Sequence, residues 1–150
     1  VLNAIAWIES DMVDQFIVGG AEAPLTPFTI AQMKALRIYA TQESAYPCKA
    51  LDLDKTGNTM VLGEAAACYL LSRKVTENTQ AKIIGYGAAI EKLSSATSVS
   101  MNGQCLQESM KRAMGDIALE EVDAIVTHSP GTIKGDMAEF AAIQEVFGDD

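Results

Sequence analysis

The feature that most constrains this chain is the passage from an apolar run at residues 124–126 into a loop broken by Pro130 and Gly131. Proline lacks a backbone N–H and glycine tolerates positive φ, so a regular strand must end here. The single histidine, His128, lies in this loop. Ligands of open α/β sheets bind beside loops that follow strands, because side chains converge there without disturbing the core. His128 is therefore the first candidate for chemistry, with a hydrogen-bonded structural histidine as the alternative.

Length and composition limit the size and the partners of the fold. The chain has 150 residues, of which 49% are hydrophobic, and this suits one domain with a substantial core. Its net charge of −9 comes from scattered aspartate and glutamate. Surfaces that bind nucleic acid carry clustered lysine and arginine, so this composition predicts no nucleic-acid partner.

The three cysteines, Cys48, Cys68 and Cys105, stand at wide and irregular intervals. Zinc sites and disulfide frameworks need paired or regularly spaced cysteines, so we expect reduced thiols, no metal site and a cytoplasmic location. Cys68 lies in an apolar run that predicts a small buried thiol. Glu64 interrupts that run, and no basic segment followed by an apolar one opens the chain, so neither a membrane span nor a signal peptide is predicted.

Apolar periodicity predicts the elements of the first half of the chain. Residues 1–10 carry apolar side chains at helical spacing, and because this pattern starts without a methionine we expect a longer parent protein. Residues 14–20 predict a short buried strand that ends in a glycine turn. A helix over about residues 28–39 is predicted, with Thr29 as its cap. Residues 59–71 fit a long strand or a short buried helix, which periodicity does not separate.

The second half of the chain predicts two more strands and two more helices. Residues 81–91 predict another strand, in which Gly85 and Gly87 permit a close backbone neighbour or a bulge. After a serine-rich loop at 94–100, the pattern predicts a helix over 102–119, a short buried strand over 122–126 and a helix over 136–147. Helices and strands in this mixed order indicate an α/β layered fold.

Three separated segments resemble the β-ketoacyl-acyl carrier protein synthases, the condensing enzymes of the thiolase-like superfamily. Residues 19–27 resemble the family's Gly-Gly-x-Glu segment, and residues 54–65 resemble its Asp…Gly-Phe-Val-x-Gly-Glu-Gly strand. Residues 128–139 are similar to its His-Gly-Thr-Gly-Thr-Pro-x-Gly-Asp-x-x-Glu run. Because the segments follow the family's order and spacing, the resemblance covers nearly the whole chain.

The resemblance implies an α/β fold of the thiolase-like layered type that is only partial, since the segment straddles the two pseudo-repeated halves. Residues up to about 75 would form the end of the N-terminal half, and residues from about 80 to 150 the start of the C-terminal half. Apolar faces that the parent buries against strands outside this segment would be exposed here, which predicts association. For the parent we expect a homodimer or a heterodimer with another ketosynthase.

The resemblance also implies a reaction. Family members catalyse decarboxylative Claisen condensation of acyl and malonyl thioesters, carried by acyl carrier protein, in fatty-acid or polyketide-type synthesis, and no cofactor is implied. They use a cysteine nucleophile and two histidines. By resemblance, His128 is one of these histidines, a neutral imidazole whose N–H stabilises the enolate oxygen. The cysteine and the second histidine fall outside this segment, so the isolated chain is expected to be inactive.

Other residues of the third motif carry weaker implications. Thr132 matches a threonine whose hydroxyl binds the pantetheine arm, whereas Ser129 and Pro130 replace a family glycine and threonine, which predicts altered or weaker pantetheine binding. Asp136 and Glu139 match the family's acidic pair. An Asp-x-x-Glu sequence before an apolar face is also a helix-capping pattern, so we assign both a structural role near the site.

The first two motifs contribute further expectations. Residues 57–60 stand where the family has Arg-Asp-Gly-Phe, and Met60 replaces an aromatic residue at the acyl pocket. By resemblance Met60 borders the substrate, with a core methionine as the alternative. Gly19, Gly20 and Glu64 belong to the matched motifs and are assigned structural roles near the site.

Two other functions compete with the enzyme. The departures at residues 57–60 and 129–130 favour a non-catalytic, chain-length-factor-like partner subunit that pairs with an active ketosynthase, whereas the retained His128 favours catalysis. An unrelated α/β domain that binds a small molecule would require the three motif matches to be coincidence.

Overall fold

The computed structural model describes residues 1–92 and 99–148. The chain divides into two compact units, each built from two separate stretches of sequence. The sheet unit comprises residues 1–27 and 62–84, and the helical unit comprises residues 28–61 and 85–150. The elements, in chain order, are α1 (Leu2–Glu9), β1 (Gln15–Glu22), α2 (Pro27–Ala35), β2 (Ala65–Ser72), α3 (Gln104–Met114), a 3-10 turn (Leu119–Glu121) and α4 (Ile133–Phe147).

The sheet unit is an antiparallel pair of strands with one helix. β1 and β2 pair along their full length, from Gln15 opposite Ser72 to Glu22 opposite Ala65. The predicted strand is therefore confirmed, but its burial and its glycine turn are wrong, because no residue of β1 is buried and the strand runs through Gly19 instead of ending there. A Cβ atom at Gly19 would lie 2.8 Å from the Cβ of Cys68. Glycine is thus required by the close approach of the opposing strand.

Side chains on α1 tie this helix to the strand pair. The rings of Trp7 and Phe16 meet edge to face, with centroids 5.4 Å apart and planes at 68°. The Arg73 guanidinium, just beyond β2, pairs with the carboxylate of Asp11 and donates to the carbonyl of Ile8. Aromatic edge-to-face contacts and ion pairs of this kind stabilise a helix whose own length is too short for independent stability.

Residues 59–71, for which the sequence left strand and helix open, contain the start of β2 and no helix. Met60, before the strand, makes a parallel bridge with Tyr39 in the helical unit. Cys68, predicted to be buried, lies exposed on β2. The prediction was wrong because the described residues place no second layer over this part of the strand pair.

The helical unit is organised by close contact between α3 and α4. Gly103, which precedes α3, has φ 58° and is buried, and a Cβ atom there would lie 2.6 Å from the Ala138 carbonyl oxygen. Ala138 and Ala142 on α4 are almost fully buried against this approach. Small side chains and a left-handed glycine thus let the two helices pack with little separation.

The glycine-rich segment before α3, residues 85–91, also lies against this helix. A Cβ atom on Gly85 or Gly87 would collide with the carbonyl oxygens of Ala113 and Ser109, respectively. The expectation of a close backbone neighbour is therefore confirmed, and the neighbour is a helix. The Arg112 side chain donates to the Ala88 carbonyl oxygen at 2.7 Å and fixes the same contact.

Two predicted strands are not present as strands within the described part of the chain. Residues 81–91 and 122–126 join no hydrogen-bonded ladder there, and Val126 is 99% exposed. An apolar run becomes a buried strand only when a neighbour supplies backbone hydrogen bonds and a covering layer. The serine-rich loop predicted at 94–100 falls largely outside the described residues.

Helix boundaries differ from the sequence-based expectation at three places. α2 begins at Pro27 and ends at Ala35, so Thr29 lies in its first turn and not at its cap. α3 ends at Met114, where Gly115 adopts positive φ, and α4 begins three residues earlier than predicted, at Ile133. Among the residues described, no helix is long and apolar enough to cross a membrane.

A carboxylate joins the end of the glycine-rich segment to the start of α3. Glu91 accepts hydrogen bonds from the Ser100 backbone nitrogen at 2.8 Å and from the Ser100 hydroxyl at 2.6 Å. The same hydroxyl accepts a hydrogen bond from Gln104 at the first turn of the helix. The hydrogen bonds from Ser100, that from its hydroxyl first, lower the pKa of Glu91.

This lowered pKa predicts a specific pH dependence of stability. Glu91 stabilises the fold fully above its unfolded-state pKa, and that contribution is lost as the pH falls through the lower, folded-state pKa. We expect the free energy of unfolding, measured by urea denaturation between about pH 7 and about pH 3, to fall more steeply for the wild type than for Glu91→Gln. Ser100→Ala should lie between the two, and parallel curves for all three proteins would contradict the assignment.

The exposed face of the strand pair predicts association. Ile17 and Leu70 are directly opposite each other and are 73% and 56% exposed. We expect the chain, studied alone, to form assemblies by size-exclusion chromatography with light scattering, because apolar side chains on an uncovered strand pair favour intermolecular packing. Ile17→Lys should shift the protein towards monomer, whereas the matched change Val75→Lys, beyond the end of β2, should not. A clean wild-type monomer with a cooperative thermal transition would refute this expectation.

Candidate functional site

The backbone of His128 is held by a side chain from α4. Glu139 accepts hydrogen bonds from the backbone nitrogen of His128 at 2.8 Å and from that of Ser129 at 2.7 Å. Ser129 has φ 27°, and its hydroxyl contacts both Glu139 and the Thr127 hydroxyl. Two successive N–H groups that converge on one carboxylate form an anion-binding concavity, here filled by the protein itself. The His128 side chain remains exposed.

The first turn of α4 is capped by Thr132. Its hydroxyl oxygen accepts a hydrogen bond from the Gly135 nitrogen at 3.2 Å, and its backbone is extended, as N-cap residues require. The capping role proposed for Asp136 and Glu139 is therefore wrong, because the helix starts before both residues. Thr132 itself lies four residues after His128, at the end of the same turn.

Asp136 is fully buried and joins three segments of the chain. Its Oδ1 accepts from the Gly131 nitrogen at 3.0 Å, and its Oδ2 accepts from the Leu51 nitrogen at 2.9 Å. The ammonium of Lys55, itself 2% exposed, lies 2.8 Å from Oδ2 and also donates to the Asp52 carbonyl oxygen. A buried carboxylate with this many donors is compensated for the loss of water.

Sequence reasoning missed Lys55. It follows Asp52 and Asp54 in a connection between regular elements, where a lysine is typical of a solvated surface. Its partner is 81 residues away along the chain, so no local pattern marks it as buried.

Asn58 and Thr59 bind the other side of the His128 turn. The Thr59 hydroxyl and backbone nitrogen donate to the Gly131 carbonyl oxygen at 2.9 Å and 2.8 Å. Asn58 Oδ1 accepts from the Ile133 nitrogen at 3.0 Å. Gly131 has φ 80°, and a Cβ atom there would lie 3.0 Å from the Thr59 hydroxyl oxygen. Residues in the segment that departs from the family pattern thus make specific contacts with the histidine turn.

The other predicted site residues are divided between the two units. Met60 is half-buried in the helical unit, where its backbone bonds to Ile38 and Ala40. Gly19, Gly20 and Glu64 belong to the sheet unit, and the Glu64 carboxylate accepts a hydrogen bond from the Leu25 nitrogen at 3.1 Å. Within the residues described, no cluster of three or more histidine, cysteine or acidic side chains is placed to hold a metal ion.

The cysteines differ in their surroundings. Cys48 is exposed, and its sulfur lies close to Gly131. Cys105 lies in α3, where burial raises the pKa of its thiol and the negative charge of Glu91 raises it further. A raised thiol pKa disfavours the thiolate, which is the nucleophilic form of cysteine.

The buried ion pair predicts an unequal effect of two lysine substitutions. Lys55→Met should lower the free energy of unfolding by about 3–5 kcal/mol, because it leaves the Asp136 carboxylate buried without its cation. The matched change Lys49→Met removes an exposed ammonium 3.9 Å from Asp52 and should cost at most about 1 kcal/mol. Urea denaturation of the two variants checks this, and equal losses would show that Lys55 is not the buried counter-ion.

Comparison with known proteins places this geometry in a family. Residues 1–77 match the family model "Beta-ketoacyl synthase, N-terminal domain", and residues 80–150 match "Beta-ketoacyl synthase, C-terminal domain". The 3-oxoacyl-[acyl-carrier-protein] synthase 2 of Coxiella burnetii is 30% identical over 98% of this chain. The oxytetracycline polyketide putative beta-ketoacyl synthase 1 of Streptomyces rimosus is 28% identical over 97%. The chain spans 37% and 36% of the lengths of these two relatives.

Solved structures share the fold over almost the full chain. A type II polyketide ketosynthase, in complex with its acyl-carrier protein, matches 98% of this chain and 38% of its own with a TM-score of 0.80 at 24% identity. The ishigamide ketosynthase/chain length factor matches 97% of this chain and 35% of its own, with a TM-score of 0.73 at 28% identity. The predicted α/β thiolase-like layered fold, present in part, is therefore confirmed. Both motif resemblance and fold agree with the family models, and the chain belongs to the beta-ketoacyl synthase family.

Proposed function

We propose that residues 1–150 form part of a 3-oxoacyl-acyl carrier protein synthase, in which His128 stabilises the enolate of a decarboxylative condensation. The observation that carries this proposal is the Glu139 carboxylate, which holds the backbone of His128 while the ring stays exposed. A fixed backbone with an accessible imidazole suits a donor that must be in place before charge develops.

The chemistry needs such a donor at one step. The bond between the carboxylate and the adjacent carbon of a malonyl thioester breaks, CO2 leaves, and the electron pair passes into the thioester, so that negative charge develops on its oxygen. A neutral His128 donates an N–H hydrogen bond to that oxygen. The enolate carbon then attacks an acyl group held as a thioester on the parent's cysteine, a carbon–carbon bond forms, and the cysteine sulfur leaves with its electron pair.

Two neighbouring side chains are assigned to substrate binding. Thr132 uses its hydroxyl oxygen to cap α4, so its hydroxyl proton is directed to the pantetheine arm of acyl carrier protein. Met60, half-buried beside the same segment that contacts the His128 turn, is assigned to the acyl chain. Acyl carrier protein as partner is supported by the relative from Coxiella burnetii, which is a 3-oxoacyl-[acyl-carrier-protein] synthase.

The proposal also covers the domain organisation and assembly of the parent protein. The N-terminal half of the parent fold ends near residue 75 and the C-terminal half starts near residue 80, in agreement with the matched ranges. We assign Asp136, Glu139, Gly19, Gly20 and Glu64 to structural roles near the site. The parent works in the cytoplasm as a homodimer or as a heterodimer with a second ketosynthase.

A second candidate is a non-catalytic subunit of the chain-length-factor type. It is favoured by Ser129 and Pro130 in the histidine turn and by the altered residues 57–60. One solved relative is itself described as a ketosynthase/chain length factor. The residue at the nucleophile position of the parent separates the two functions, since catalysis requires cysteine there.

The test of the leading proposal is the decarboxylation of malonyl-acyl carrier protein by the full-length protein. His128→Ala should lower the rate by about 10²–10³-fold, the usual effect of removing one oxyanion donor. The thermal midpoint should change little, because His128 is exposed and substitutions at exposed positions usually cost little stability. Release of CO2 and differential scanning fluorimetry supply the two measurements.

Glu145→Ala, an exposed change near the far end of α4, provides the control and should retain wild-type activity. Equal activity of His128→Ala and the wild type would remove His128 from the mechanism. A wild-type protein that does not decarboxylate but forms a stable heterodimer with an active ketosynthase would support the second candidate.

A further inference from the structure

We propose that Asn58 and Thr59 are positioning residues, which hold the turn carrying His128 and thereby raise the rate of the decarboxylation step. This inference rests on the proposed function for its catalytic part. Neither residue contacts the imidazole. Both act through the backbone of Gly131 and Ile133 at the end of the turn, whereas Glu139 binds the backbone at its start.

The first contact is at Gly131. Its carbonyl oxygen accepts from the Thr59 hydroxyl at 2.9 Å and from the Thr59 backbone nitrogen at 2.8 Å. The Thr59 hydroxyl oxygen in turn accepts from the Lys49 nitrogen at 3.0 Å, so its proton is committed to Gly131. Because Thr59 is half-buried and Gly131 is buried, little water competes for these bonds.

The second contact is at the start of α4. The Ile133 nitrogen belongs to the first helical turn and has no partner within the helix, as for every helix start. Asn58 Oδ1 accepts its hydrogen bond at 3.0 Å, while Asn58 Nδ2 donates to the Arg37 carbonyl oxygen at 3.0 Å. Asn58 therefore ties the helix start to Arg37, which lies two residues after the end of α2 and has positive φ.

The reason for such a brace lies in the turn itself. Ser129 and Gly131 both have positive φ, and Pro130 between them has no N–H to donate. A non-glycine residue at positive φ, such as Ser129, is strained and persists only where surrounding contacts hold its backbone. Glu139 supplies them at His128 and Ser129, and Asn58 and Thr59 supply them at Ile133 and Gly131. The backbone that carries His128 is thus held at both ends of the turn.

The experiment combines kinetics with hydrogen exchange in the full-length protein. In Thr59→Val and Asn58→Ala we expect kcat for malonyl-acyl carrier protein decarboxylation to fall about ten-fold with KM little changed, because a displaced donor weakens the transition state more than the ground state. Amide exchange, followed by mass spectrometry in a peptide covering residues 127–135, should accelerate by about ten-fold or more.

Conservative variants supply the rescue. Thr59→Ser keeps the hydroxyl that bonds Gly131, and Asn58→Asp keeps the acceptor for Ile133 while losing the donor to Arg37. Both should restore kcat and the slow exchange. Thr56→Val, the same change at an exposed position three residues before Thr59, should behave as wild type in both measurements.

Each outcome decides a separate point. Unchanged exchange in Thr59→Val and Asn58→Ala would overturn the brace, and faster exchange with unchanged kcat would overturn its role in catalysis. A wild-type protein that does not decarboxylate malonyl-acyl carrier protein would overturn the proposed function. In that event, accelerated exchange that the serine and aspartate variants reverse would still support the brace.

Discussion

The buried carboxylate of Asp136 is the interaction on which the rest of the helical unit depends. It lies in α4, yet its partners are the Gly131 turn and the connection that contains Leu51 and Lys55. Removing a carboxylate from water is costly, so these partners must be in place whenever the unit is folded. Two connections that form little regular structure of their own are ordered in this way, and one of them carries His128.

The same helix then determines where the candidate catalytic ring is held. Glu139, one turn after Asp136 on α4, binds the backbone nitrogens of His128 and Ser129. Thr132, four residues before Asp136, caps the start of the same helix. One helix therefore carries the buried anchor, the cap and the carboxylate that fixes the histidine, and the apolar run before His128 contributes little to this arrangement in the described residues. The family motif from His128 to Glu139 is one continuous structural unit.

Sequence periodicity predicted the elements that depend on local spacing. α1, α3, α4 and β1 were found close to their expected ranges, because one apolar face is visible within a short window. Residues 81–91 and 122–126 were misassigned, since pairing depends on partners that no local pattern specifies. The site followed the same rule: His128 and Thr132 were marked by their motif, whereas Lys55 was not, because its carboxylate partner lies 81 residues away. Asp136 was identified but was given a helix-capping role in place of an interior ion pair.

Side chains of α4 bind both ends of the His128 turn. These contacts restrict how this region responds to a bound molecule. Backbone atoms on either side of the imidazole are tied to the helix by Glu139 and Asp136, so the turn has no independent hinge. Two motions remain: rotation of the imidazole about its side-chain torsions, or displacement of turn and helix together as one rigid element. A molecule bound beside this turn would therefore be accommodated by ring reorientation on the fast timescale of exposed side chains, or by a slower shift of the whole helix.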